Sequence, residues 1–165
     1  MGGLGRDGVD AIRAFVEAGG SLVCLEGSTA FAIEAFSLPV VDALKGLKSS
    51  EFYGPGSIVR VVGSGTPLCD GMPAEFSAYF DRSHAFDLLE MNADVRVAAR
   101  YADAEVLESG WLLGPEKLRG KAAVVTIERG AGRVVLFGFP PQHRGQTRGT
   151  FRLLFNALLL SAGPG

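Results

Sequence analysis

Residues able to do chemistry fall in two stretches. The first is Gly19-Gly20-Ser21-Leu22-Val23-Cys24-Leu25-Glu26-Gly27-Ser28-Thr29. A thiol, a carboxylate and two hydroxyls crowd its second half. A carboxylate at a strand end can act as a general base or orient a ligand, and Glu26 is placed for that. Ser28 or Thr29 can cap a following helix. The plainer reading of Glu26 is that it, too, caps neighbouring amides. The second stretch is Pro140-Pro141-Gln142-His143-Arg144-Gly145-Gln146-Thr147. His143 brings an imidazole. Arg144 and Gln146 bring donors suited to a carboxylate or phosphate near a helix start. Their plainer reading is to tie the loop to the backbone or to a neighbouring domain. Glu26, Ser28, His143, Arg144 and Gln146 form the candidate ligand-binding set. A hydrolase built on Glu26 and His143 is the enzymatic alternative.

The remaining reactive groups are few. Cys24 lies within an apolar run and reads as a small buried core residue. Cys69 lies in a turn. Two cysteines make no disulfide framework and have no metal-ligand spacing, and whether they pair is left open. Neither His84 nor His143 is followed three residues later by Glu, so the His-x-x-Glu of a carboxypeptidase zinc site is missing. No cofactor is indicated. His84 reads as a surface residue and Trp111 as partly buried packing. Phe52 and Tyr53, in a Gly/Pro turn, suit contact with a partner domain better than chemistry.

Hydrophobic periodicity supplies the elements that must position these groups. Val9, Ile12, Phe15 and Val16 predict an amphipathic helix over residues 6–18, closed by Gly19-Gly20. Residues 21–25 predict a short buried strand and 31–36 a helix ending before Pro39. Val41–Leu47 reads as a short helix. Strands are predicted at 57–62, 75–80, 85–89, 95–101 and 106–113. The apolar runs 122–127 and 133–139 predict a β-hairpin joined by Glu128–Gly132. A closing helix over 147–160 presents Phe151, Leu154, Phe155, Leu158 and Leu159 as its core stripe.

Composition sets outer limits. The chain has 165 residues, 47% hydrophobic and 21% charged, which suits one globular domain. Sixteen basic and 18 acidic residues are scattered and give a net charge of -2, offering no electrostatic basis for binding nucleic acid or an anionic membrane. No apolar run approaches the roughly 18 residues that span a bilayer.

The Leu22–Thr29 turn after its Gly-Gly stop, Thr66-Pro67-Leu68, Gly71-Met72-Pro73 and the closing hairpin together resemble a class I glutamine amidotransferase-like domain. More narrowly, Ser109-Gly110-Trp111-Leu112-Leu113-Gly114 and Gly138–Thr147 resemble the amidotransferase-like domain C-terminal to bacterial zinc carboxypeptidases of the carboxypeptidase A type. The resemblance implies an α/β, three-layer, flavodoxin-like fold with a mixed sheet. It implies a zinc-peptidase domain of the parent chain as partner and an extracellular or periplasmic setting. It also shows departures. The family nucleophile stands in a Cys-x-Gly turn; aligning Gly27 puts Leu25 there, with Cys24 one residue early and facing the other side of the strand. The family histidine precedes a proline after the last strand; here Phe139 precedes Pro140. The Cys-His pair of thiolate chemistry is therefore absent, and the resemblance implies a non-catalytic accessory or ligand-binding domain. Such domains open with a strand and helix before the Gly-Gly loop. This chain begins after that point, so it reads as a fragment with an uncovered edge, expected to form a homodimer.

Overall fold

The computed structural model describes residues 4–90, 93–145 and 147–161. Among them one mixed sheet carries nine strands. In chain order the elements are α1 (Gly5–Glu17), β1 (Ser21–Leu25), α2 (Ser28–Ala35), β2 (Val40–Asp42), β3 (Pro55–Gly63), β4 (Glu75–Asp81), β5 (Phe86–Leu88), β6 (Val95–Tyr101), β7 (Leu107–Ser109), β8 (Ala122–Arg129), β9 (Gly132–Phe137) and α3 (Phe151–Ser161). The main path runs β1-β9-β8-β6-β3-β4, with β7 on β3 and the β2–β5 pair attached to β8. Only β1–β9 is parallel; every other pairing is antiparallel. The expected α/β three-layer arrangement with a mixed sheet is the one observed.

Two buried clusters separate the layers. Val16 of α1 and Ala32 of α2 pack with Cys24, Leu136 and Ile127 on one face. Leu153 and Ala157 of α3 pack with Val59, Phe137 and Phe139 on the other. Along β1 the side chains alternate as the pleat requires: Leu22 and Cys24 join the α1/α2 side, Val23 and Leu25 the α3 side. α1 ends where anticipated, with Gly19 at φ 114° and the Gly20 amide donating to Phe15 C=O at 2.9 Å. The β8–β9 hairpin turns on Gly130-Ala131 alone, with Gly130 at φ 58° supplying the left-handed step.

Several expectations need correction. Val41–Leu47 is not a helix. Val40 and Val41 pair with β5, and Asp42 Oδ1 accepts the Leu44 amide at 3.0 Å, closing an Asx-type turn that competes with helix. The strand expected over 106–113 is confined to Leu107–Ser109, because Gly110 turns the backbone to φ 92°. α3 begins at Phe151 after a 3₁₀ turn at Arg148–Thr150. Its core stripe is Leu153, Ala157 and the half-buried Leu160, whereas Phe155, Leu158 and Leu159 face out at 57%, 51% and 69% exposure. The helix is apolar nearly all round, so periodicity could not say which face turns inward.

Candidate functional site

The turn after β1 is an elbow whose apex is Glu26, at φ 49°. A non-glycine residue held there is strained by about 1–3 kcal/mol and needs surrounding bonds to keep it. Three sets of bonds do so. The Glu26 amide extends the parallel ladder to Phe137 C=O at 3.0 Å. Its carbonyl accepts the Thr29 amide at 2.9 Å and the Thr29 hydroxyl at 2.6 Å. Ser28 Oγ accepts the Leu25 amide at 2.8 Å and donates to Leu25 C=O at 2.7 Å. The two hydroxyls thus bond backward to the strand end. They do not cap α2, whose N-cap is Gly27 with no side-chain bond. The Glu26 carboxylate makes no hydrogen bond or ion pair with the described residues, so it is not a local amide cap. It is half-exposed at the end of β1, with all its acceptor capacity available.

Neither thiol can substitute for an elbow nucleophile. Cys24 is 2% exposed inside the α1/α2 cluster. Burial pushes its thiol up to about 11, against the opposing pull of a Ser28 hydrogen bond. Cys69 is raised as well, chiefly by burial, and its Sγ–H donates to Ala98 C=O at 3.1 Å. The two cysteines lie in clusters on opposite faces of the sheet and are both free, which answers the open question of pairing. Leu25 packs toward the α3 side, and Phe139 is fully buried edge-on to Phe137 at 6.2 Å.

The second stretch goes elsewhere. Pro140 and Pro141 carry no amide hydrogen, so the chain leaves the sheet there. Thr150 Oγ1 fastens the loop by donating to Pro141 C=O at 2.8 Å. The His143 ring stacks on Tyr79 of β4, centroids 4.2 Å apart and planes within 14°. β4 and β1 are the two margins of the six-strand path. Glu26 and Ser28 therefore stand together at one margin and His143 at the other, with no contact between Glu26 and His143. Arg144 is exposed at φ 43° beside His143. Gln146 lies outside the described residues.

A titratable pair that the sequence did not disclose adjoins the elbow. Asp42 Oδ2 is 2.8 Å from His84 Nδ1. The His84 amide donates to Gly138 C=O at 2.6 Å, and the buried Tyr101 hydroxyl donates to His84 C=O at 2.8 Å. Gly138 follows Phe137, whose carbonyl holds Glu26. A Cβ on Gly138 would collide with the His84 carbonyl oxygen, so only glycine fits. His84 is thus a fixed, half-buried residue and not a surface one. Burial pushes Asp42 up, but bonds from His84, Leu44 and Ala85 together with the His84 charge outweigh it and hold the carboxyl below its usual 3.8. The partners are 42 residues apart, and only the β2–β5 pairing unites them. A cavity of about 720 Å³ opens beside them between α1, α2 and the turn after β2, with Val9, Ser28, Phe31, Asp42 and Lys45 on its walls. Among the described residues no group of three or more His, Cys, Asp or Glu is placed to hold a metal, and no helix is long and apolar enough to cross a membrane.

No protein-family model and no curated protein matches the chain. Solved structures do match in fold. A ThuA-like protein from Bacteroides uniformis superposes with TM-score 0.62 at 15% identity, over 96% of this chain and 65% of that one. A ThuA-like protein from Parabacteroides merdae gives 0.58 at 14%, over 96% and 66%. A candidate GMP synthase component from Thermoplasma acidophilum gives 0.56 at 14%, over 94% and 65%. The chain thus spans about two thirds of each of these proteins. At these identities the likeness speaks for the fold alone, and that fold is glutamine amidotransferase-like.

Proposed function

We propose that this chain is a non-catalytic, ligand-binding amidotransferase-like domain that serves as an accessory module of a zinc carboxypeptidase-like protein. The observation that carries the reading is the elbow itself. Its apex holds a strained Glu26 with a free carboxylate, one residue after Leu25, the position where the family pattern places the thiol of a thiolate–histidine pair. The nearby thiol, Cys24, faces a closed core with its pKa pushed up to about 11. Holding strain and an unpaired carboxylate at the open end of the sheet is costly to the fold and useful for recognition. The adjoining cavity and Lys45 offer room and charge for a small polar ligand. The hydrolase alternative on Glu26 and His143 is not favoured, because the His143 ring is engaged by Tyr79.

Sequencing the whole open reading frame that encodes this stretch tests the accessory role. A zinc carboxypeptidase domain in the same polypeptide is expected; an unrelated catalytic domain there would contradict it. Binding is tested by titrating metabolite mixtures against the protein and its Glu26→Gln variant. Ligand-induced stabilisation should be found in the former and weakened in the latter.

A further inference from the structure

We propose that Arg13 of α1 and Arg129 at the end of β8 clamp the C-terminal end of α2, and that through α2 they hold the strained elbow at its other end. The inference rests on the elbow as the ligand site and assigns it two positioning residues outside it. α2 has little of its own to fix it. It has eight residues, fewer than the roughly 12–15 at which an isolated helix is even marginal in water. Its buried positions are Thr29, Ala32 and Ala35, all small, with Ile33 and Phe36 packed only in part. Small side chains remove little apolar surface from water. No side chain caps its N-terminal end, because the Ser28 and Thr29 hydroxyls bond back to Leu25 and Glu26.

The C-terminal end is fastened instead. Ser37 ends the helix in the left-handed region, at φ 47°. The Leu38 amide donates to Ile33 C=O at 3.0 Å and the Ser37 amide to Glu34 C=O at 3.3 Å, the paired bonds of a Schellman close. The carbonyls of Ala35, Phe36 and Ser37 are left without helical partners. Two guanidiniums take all three. Arg13 Nε donates to Ala35 C=O at 2.7 Å. Arg129 Nη2 donates to Phe36 C=O at 2.8 Å and to Ser37 C=O at 3.2 Å. Hydrogen bonds from an ionised donor are stronger than neutral ones, and these also set positive charge against the negative end of the helix dipole.

The β8–β9 hairpin therefore grips α2 at both ends. Phe137 C=O of β9 accepts the Glu26 amide at 3.0 Å just before the helix. Arg129 of β8 holds Phe36 and Ser37 just after it. α2 spans the distance between, about 12 Å for eight residues. Thr29, its second residue, fixes the Glu26 carbonyl through both its amide and its hydroxyl, at 2.9 and 2.6 Å. A left-handed glutamate persists only where its surroundings over-determine it. With the far end of α2 released, the helix shifts or frays, and Thr29 loses the position that fixes the apex.

Two measurements on Arg129→Met test the clamp; methionine keeps an apolar stem and removes the donors. In amide NMR spectra the Glu26 and Thr29 resonances should move, although Arg129 lies at the other end of α2, while Val125 at the centre of the sheet stays in place. Movement confined to Ser37 and Leu38 would mean a local cap and overturns the proposal. The second measurement is a mutant cycle. Glycine at position 26 should fold more stably than alanine while the left-handed apex is enforced. In the Arg129→Met background that ratio of folding constants should fall by about twofold or more, whereas independent sites simply add. An unchanged ratio overturns the proposal. Arg13 is exposed, so Arg13→Met should fold and repeat both effects, and it decides alone if Arg129→Met does not fold. Neither measurement uses a ligand, so a failed clamp is distinct from an elbow that binds nothing.

Discussion

At the scale of single residues, the decisive one is Glu26. Its φ of 49° is stored strain, and strain makes a signed prediction. Glycine adopts this conformation freely while alanine keeps most of the cost, roughly 1–2 kcal/mol. Glu26→Gly should therefore be more stable than Glu26→Ala by about 0.5–1 kcal/mol, reversing the usual order. Chemical denaturation of the two variants checks this, and equal midpoints would mean that the turn is relaxed. Asp42 gives a prediction in pH. Its folded-state pKa lies below the unfolded 3.8. Its contribution is present above the unfolded value and is lost as pH falls through the folded value. Asp42→Asn should lower stability at neutral pH and flatten the acid limb below about pH 4. An acid limb identical to that of the unaltered protein would show that the His84 contact contributes nothing.

At the scale of elements, the C-terminal helix separates what the sequence discloses from what it conceals. Its existence is legible: a run of apolar residues this long after a proline-rich loop suits a helix. Its orientation is not, since both faces of α3 are apolar and the tertiary contacts of Leu153 and Ala157 decide between them. Leu153→Ala should cost about 2–5 kcal/mol, while Leu159→Ala should cost under about 0.5 kcal/mol. A reversed order in urea denaturation would restore the stripe through Leu158 and Leu159. Strands with β-branched alternation, β3 and β6 among them, are readable for the same local reason that the hairpin is. Val40–Asp42 escapes a sequence reading because a three-residue strand has no period and gains its identity from β5. The elbow is legible as a position, from Gly-Gly, the apolar strand and the following hydroxyls. Its chemistry is only half legible. Glu26 can be named, but the Asp42–His84 pair needs long-range pairing to appear. The separation of His143 from Glu26 depends on how Pro140-Pro141 redirect the chain.

At the scale of the whole molecule, exposed aromatics mark a second surface. Trp111 is 55% exposed, although its backbone is fixed, its amide donating to the Ser57 hydroxyl and its carbonyl accepting from it. Tyr53 meets it edge-on at 5.9 Å and bridges to Leu113. An outward indole on a fixed backbone, met edge-on by Tyr53, suits contact with a neighbouring domain. The indole is therefore not the partly buried packing that its apolar neighbours suggest, and the turn at Gly110 is what lifts it out. The proposal, however, concerns the elbow: that this amidotransferase-like fold holds a ligand there and runs no thiol chemistry. Ammonia release from glutamine, measured with the purified chain and with Cys24→Ser, tests it most directly. No release above buffer is expected from either protein. Turnover by the unaltered chain that vanishes in Cys24→Ser would contradict the claim.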